Sequence, residues 1–351
     1  MEIGFRIIHL KKRFPLRISR GVITGSDNLF VSATRNGVTG WGEMAPGSSE
    51  GAASATEAQT TLTKFWNGNG DISQLSIRQI HHRAIEQNVA ACALAALDTA
   101  LWDQLARAAG LPLFKLLGAS KPTVPTSITI GILPPDVVRE RIPLLLDGTG
   151  IKSLKVKLGS PDGIEADQAM FTQIVDSTKD YDVNLRVDAN GGWDVEDAKI
   201  MMAWLAERNT DYVEQPLKEG HEDRLPEIFA NRPLPIYVDE SCRFAPDILR
   251  YADCVDGVNL KLMKCGGITG ALQIIEVARA HGLKLMIGCM GESSMSISAG
   301  AALTGMLDQV DLDSQLNLDP DPCVGAQLID GVVTPPESAG HGATFRSDVE
   351  E

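Results

Sequence analysis

The sequence predicts an α/β chain: a parallel (β/α)8-type TIM barrel preceded by an N-terminal α+β capping domain. Three observations predict it. From about residue 121 to 325, short apolar runs ending in polar residues alternate eight times with amphipathic stretches. The first 120 residues lack that rhythm, with three strand-like runs first and helices after. The length, 351 residues, suits a barrel with one added module. The expected boundaries are 1–120 for the capping domain and 121–330 for the barrel, with the tail, 331–351, packing back on the capping domain.

Within the capping domain, Ile7 to Arg13, Asn28 to Thr34 and Gly37 to Gly42 alternate or carry β-branched residues, and Asn36-Gly37 marks a hairpin turn. Helices are expected over Ala53 to Phe65, Ile77 to Glu86 and Asn88 to Ala109; the last shows Leu94, Leu97, Leu101 and Leu105 at helical spacing and stops at Gly110 before Pro112. The eight barrel strands are read at Ser127 to Ile130, Leu154 to Lys157, Asn184 to Asp188, Tyr212 to Glu214, Ile236 to Asp239, Gly257 to Lys261, Leu285 to Ile287 and Val310 to Asp313. Stretches such as Asp194 to Glu207 and Thr269 to His281 supply intervening helices.

Composition narrows the function classes. A net charge of −14 with no basic run argues against nucleic acid and anionic membranes, which both need a positive footprint. The longest apolar stretch, Ala90 to Leu101, contains Asp98 and is too short to span a bilayer. Six scattered cysteines, none in a C-x-x-C pair, and a start without a charged segment followed by an apolar one give the expectation of a reduced, cytoplasmic protein.

A barrel places its active site at the C-terminal ends of the strands. The second strand ends in Lys155-Val156-Lys157, and period-two alternation puts both lysines on one face. Alone, that pair suits a solvated strand face as well as a catalytic one. The third, fourth and fifth strands close on Asp188, Glu214 and Asp239, roughly 25 residues apart each time, one β/α unit. Such acids can be N-caps of the following helices. Three at equivalent positions on adjacent strands would instead repel unless they share a cation, and an all-carboxylate set favours Mg2+ over zinc. Asn190 is placed to support this cluster. The sixth strand brings Asn259 and Lys261 to one face, across the barrel from Lys157.

Together these residues resemble the enolase superfamily, in its muconate-lactonizing-enzyme-like subgroup, over nearly the whole chain. The motifs are K-x-K at 155–157, D-A-N at 188–190, E-Q-P at 214–216, D-E-S at 239–241 and N-x-K-x-x-K-x-G-G at 259–267. The resemblance implies an enolase-like modified barrel, Mg2+ on Asp188, Glu214 and Asp239, Lys157 and Lys261 as acid/base residues, and Lys155 as electrostatic support. Enolase-superfamily sites pair a Lys or His base with Mg2+. The eighth strand reads Asp311-Leu312-Asp313, and this D-x-D resembles the dipeptide epimerases, where it holds the substrate's α-ammonium group; two carboxylates suit a cation. Gly288 to Ser293 resembles the family's G-x-M-x-E-S segment, with Gly291 where a bulkier residue is common.

From the resemblance, Thr129, Met290 and Glu292 join Asp311 and Asp313 as expected substrate contacts. Phe14 to Gly21 occupies the family's specificity loop, so Arg17 or Arg20 is placed to meet an acidic substrate side chain. Gly47 to Gly51 reads as a flexible loop able to close over the substrate. The expected activity is Mg2+-dependent two-base epimerisation at the C-terminal α-carbon of a dipeptide, Ala-Glu or a hydrophobic one. The alternatives are an o-succinylbenzoate synthase or muconate-type cycloisomerase of the same subgroup, or a barrel that binds without catalysis. Lys155, the metal and burial are expected to lower the pKa of Lys157, while Lys264 is expected to lie past the strand face. A homo-oligomer is carried from family habit alone.

Overall fold

The structure is a computed structural model and describes residues 1–347 together with 349. Three antiparallel strands open the chain: β1 (Glu2–Ile18), β2 (Gly21–Arg35) and β3 (Val38–Met44). The Asn36-Gly37 turn takes φ values of 53° and 77°, which suits a primed hairpin turn. Helices α1 (Ala55–Gly68), α2 (Ile77–Glu86), α3 (Ala91–Ala108) and α4 (Leu113–Leu116) follow. Ser54 caps α1 and Ser76 caps α2, each accepting from the backbone three residues on. The alanine-rich α3 lies directly on the sheet: a Cβ at Gly42 would stand 2.1 Å from the Ala96 carbonyl, so that strand position has room only for glycine.

The second unit alternates β4 (Ser127–Ile130), α5 (Pro135–Leu146), β5 (Ser153–Lys157), α6 (Ile164–Thr178), β6 (Asn184–Asp188), α7 (Val195–Ala206), β7 (Thr210–Glu214), α8 (Leu225–Phe229), β8 (Ile236–Val238), β9 (Gly257–Leu260), α9 (Leu262–Cys265), α10 (Ile268–Ala280), β10 (Lys284–Ile287), α11 (Ser294–Ala301) and β11 (Gln309–Val310). The eight strands β4 to β11 pair in parallel in chain order, and a bridge between Thr126 and Val310 closes the ring. Strands buried on both faces explain the near-continuous apolar runs.

Beyond the barrel, β12 (Cys323–Val324), β13 (Gln327–Ile329), β14 (Val332–Thr334) and β15 (Thr344–Phe345) carry the chain back toward the first unit. The Phe345 ring lies 5.2 Å from Phe30 and 5.0 Å from Trp41, and His341 donates its backbone N–H to buried Asp103 at 2.7 Å. The part of the expected tail at 348, 350 and 351 lies outside the described residues. Among the described residues, no helix is long and apolar enough to cross a membrane.

Two expectations are corrected. Strands β1 and β2 extend far beyond Ile7–Arg13 and Asn28–Thr34, because their outer halves pair with each other while both faces stay partly exposed and so leave no apolar alternation to read. The eighth barrel strand covers only Gln309–Val310, so Asp311 and Asp313 sit in the loop after it. The glycine pair closing the sixth-strand motif is a docking feature. Gly266 (φ 78°) ends α9, Gly267 (φ 99°) starts α10, and a Cβ on Gly267 would stand 2.7 Å from Asp98 of α3.

Asp98 itself joins the two units, accepting from the Thr269 N–H at 2.9 Å and its hydroxyl at 2.6 Å at the start of α10. Burial pushes its carboxyl up to about 7. The unfolded chain loses this proton near the ordinary aspartate value while the folded chain keeps it to about 7, so over that window the folded state binds more protons and stability falls as pH rises. Asp98→Asn keeps an acceptor and removes the charge. It is expected to gain stability relative to the unsubstituted protein between pH 5 and 8, by a few kcal/mol at about 1.4 per pKa unit, in urea denaturation.

Candidate active site

Parallel pairing sets the carboxylates side by side. Asp188 ends β6 opposite Glu214 at the end of β7, and Asp239 follows β8 directly. The three are buried, and one oxygen of each lies within 4.8 Å of the others. The energetic consequence falls on Glu214, whose carboxyl is pushed up to about 7 by burial and by the Asp188 charge. Asp188 is held near 2 because Lys157 and Lys155 outweigh its burial, and Lys261 and Lys264 hold Asp239 well below the carboxylate range against its own burial. Converging, buried, oxygen-only donors fit a hard divalent cation such as Mg2+.

Lysines enclose the cluster. Lys155, 1% exposed, places Nζ 2.7 Å from Glu214, 2.7 Å from Asp311 and 3.3 Å from Asp188. Those three carboxylates outweigh the cost of burying the ammonium and hold it well above the ordinary lysine value. Lys157, on the same strand face, reaches Asp188 at 2.5 Å. From across the barrel, Lys261 reaches Asp239 at 2.7 Å. Burial lowers the Lys261 pKa, but the Asp239 carboxylate outweighs burial and raises it.

Lys264 is the main departure. It was expected past the strand face, yet the short helix α9 turns it back into the barrel, 2% exposed, where it donates to the Asp239 carboxylate and backbone carbonyl, both at 2.5 Å, and to the Asn259 carbonyl at 2.8 Å. Asn259 donates to Glu214 at 2.7 Å. Asn190, at a left-handed φ of 45°, donates its backbone N–H to Asp188 Oδ1 at 2.8 Å and its amide to Oδ2 at 3.2 Å.

The remaining expected contacts divide. Asp311 accepts from the Ser127 hydroxyl at 2.5 Å and from Lys155, and Asp313 accepts from the Thr129 backbone N–H at 2.6 Å, so both meet β4 at the barrel seam. Burial and the Asp311 charge raise the Asp313 carboxyl. Asp311, Asp313, Thr129 and Met290 line a cavity of about 340 Å3 that also meets Lys155, Lys157 and Lys261. Glu292 is turned away from it, accepting from the Met290 N–H at 2.6 Å and the Ser296 hydroxyl at 2.5 Å. Arg20 pairs with Glu240 at 2.7 Å, and Arg17 lies 3.6 Å from Asp162. The 47–51 loop, read as flexible, is hydrogen-bonded internally and receives a bond from Arg243 to the Ser49 carbonyl.

Two residues went unread. Gln215 accepts from the Asp239 N–H at 2.9 Å and donates to Ser241 at 2.8 Å, tying the fourth strand end to the fifth. Its place in the E-Q-P motif was the available signal. Glu43 of β3 accepts from the Ser293 N–H at 2.9 Å and hydroxyl at 2.6 Å and from Asn28 at 2.7 Å, fixing the segment before α11 to the first sheet.

Comparison with known proteins agrees with this geometry. Residues 2–118 match the family described as mandelate racemase / muconate lactonizing enzyme, N-terminal domain, and residues 138–349 match enolase C-terminal domain-like. A hydrophobic dipeptide epimerase of Flavobacteria bacterium (strain MS024-2A) is 60% identical, with 99% of each chain covered. A second, from Roseobacter litoralis, is 56% identical over 98% of this chain and 99% of its own. In structure, the dipeptide epimerase of Cytophaga hutchinsonii complexed with Mg and D-Ala-L-Val superposes with a TM-score of 0.91 at 29% identity, covering 99% of this chain and 96% of that one.

Replacing Lys264 should therefore destabilise the barrel, since two carbonyls and a carboxylate oxygen lose a buried donor. Lys264→Met is expected to cost about 3–5 kcal/mol in urea denaturation, and a cost below 1 kcal/mol would show that the contacts are energetically idle.

Proposed function

Because the chain belongs to the mandelate racemase / muconate lactonizing enzyme family of the enolase superfamily, we propose that it is a Mg2+-dependent dipeptide epimerase that acts on dipeptides with hydrophobic side chains. One observation carries the reading. Lys157 and Lys261 approach one buried carboxylate cluster from strands on opposite sides of the barrel. Inversion at a carbon needs a proton removed from one face and another delivered to the opposite face, and two amines so placed supply both. The hydrophobic preference is supported by the relatives' names and by cavity walls that include Leu16, Ile18, Ile23, Ile128 and Ile130.

Asp188, Glu214 and Asp239 would hold Mg2+, and that ion would neutralise the negative charge that develops on the substrate carboxylate. The substrate's α-ammonium would meet Asp313 first, because Asp311 is already engaged by Lys155 and Ser127. With both ends held, the α-carbon of the C-terminal residue lies between the two lysines. One, as the neutral amine, takes the α-proton to give an enediolate. The other, as the ammonium, returns a proton to the far face. Lys155 stays charged throughout, opposing the carboxylates as charge grows in the transition state. The free cysteines among the described residues support a cytoplasmic setting.

Lys157→Ala and Lys261→Ala are each expected to lose epimerisation by about 10²–10⁴-fold while still exchanging the α-proton of one epimer in D2O. Near-normal turnover in either variant would defeat the two-base reading. Chelation with EDTA should abolish turnover and added Mg2+ restore it. N-acetylating the dipeptide should lower kcat/KM by roughly 10–100-fold, through loss of the ammonium partner of Asp313; an unaffected rate would remove that residue from the binding scheme.

A further inference from the structure

The turn between β1 and β2 is fastened to the barrel mouth by more polar contacts than a passive loop needs. The Arg17 carbonyl accepts from the Ile132 N–H at 2.8 Å, after β4. The Asn190 carbonyl, after β6, accepts from the Ser19 hydroxyl at 3.0 Å and from Arg20 at 3.2 Å. Glu240, after β8, accepts from Arg20 at 2.7 Å and from the Asn190 amide at 3.4 Å. Asn190 in turn holds both oxygens of Asp188, and Glu240 adjoins Asp239. One guanidinium of the capping unit is thus bonded to the neighbours of two of the three clustered carboxylates.

We infer that Arg20 is a positioning residue that latches the β1–β2 turn onto Glu240 and Asn190 and thereby sets the metal-binding geometry of Asp188, rather than a ligand for the substrate's side chain. The inference rests on the reading of Asp188, Glu214 and Asp239 as an Mg2+ site. Arg20 is 55% exposed, so as a bare surface pair it would matter little. Its partner differs: Glu240 is 12% exposed, and its second oxygen is buried without a hydrogen-bond partner. Asn190 is held in a left-handed backbone conformation, at φ 45°, and among the described residues its carbonyl accepts only from the turn side. Loosening that carbonyl frees the amide and N–H that orient Asp188.

Two accounts of Arg20 predict opposite signs. A cation beside a carboxylate cluster repels a second cation, so if Arg20 acts only through its charge, Arg20→Met tightens Mg2+ binding. If it orients the residues behind the ligands, Arg20→Met weakens Mg2+ binding, by about 10–100-fold as is usual when an outer partner of a metal ligand is lost. Arg20→Lys should fall between, since one ammonium can reach Glu240 but cannot also serve the Asn190 carbonyl.

The experiment titrates Mg2+ calorimetrically into the unsubstituted protein, Arg20→Met and Arg20→Lys without dipeptide, with thermal melts to verify folding. It then compares kcat/KM for L-Ala-L-Leu and L-Ala-L-Glu. The expected result is weaker Mg2+ binding in Arg20→Met, partial recovery in Arg20→Lys, and a substrate ratio within about twofold of the parent. Unchanged or tighter Mg2+ binding overturns the inference, as does a loss confined to L-Ala-L-Glu, which would make Arg20 a substrate ligand. A parent protein that binds no Mg2+ overturns it too. If Mg2+ binds but no dipeptide turns over, the epimerase reading fails separately, and the titration still decides the latch.

Discussion

Carboxylate crowding governs this molecule. Asp188, Glu214 and Asp239 are forced together by parallel strand pairing, deep enough that water cannot screen them. Such a set persists only with compensating positive charge. The chain supplies it from four lysines, each with its ammonium directed at the cluster: Lys155 and Lys157 from β5, Lys261 and Lys264 from and just after β9. The outer residues then serve the same end. Asn190, Asn259 and Gln215 spend their amides on fixing carboxylates or the backbone that carries them. Chemistry and stability are therefore one problem here, because the groups that would move protons also offset a buried charge.

Much of this was legible in the sequence because a barrel converts periodicity into position. A residue at the C-terminal end of each strand must face the mouth, so Asp188, Glu214, Asp239, Lys157 and Lys261 could be assigned to one site from spacing alone. The resemblance to the enolase superfamily then agreed with the family that the chain matches. The strands at Ser127–Ile130 and Asn184–Asp188 carry the bounds expected from the sequence, and the second closes on a polar residue, Asp188.

The unread parts share a physical cause: they depend on contacts between segments far apart in the chain, which carry no local period. Lys264 follows a strand and gives no sign that α9 will fold it inward. Glu43 reads as one acid in a strand, yet it holds a segment 250 residues away. Arg20 reads as a partner for an acidic substrate side chain, and only the fold brings Glu240 beside it.

The claim at the centre is that two amines work on opposite faces of one α-carbon. It is tested most directly by following the unsubstituted protein in D2O from a single epimer of a hydrophobic dipeptide, with the isotopic content of substrate and product measured separately at low conversion. The account predicts deuterium in the product α-position from the first turnovers. Product that retains the original proton from the outset would mean that one group both removes and returns it, and would contradict the account.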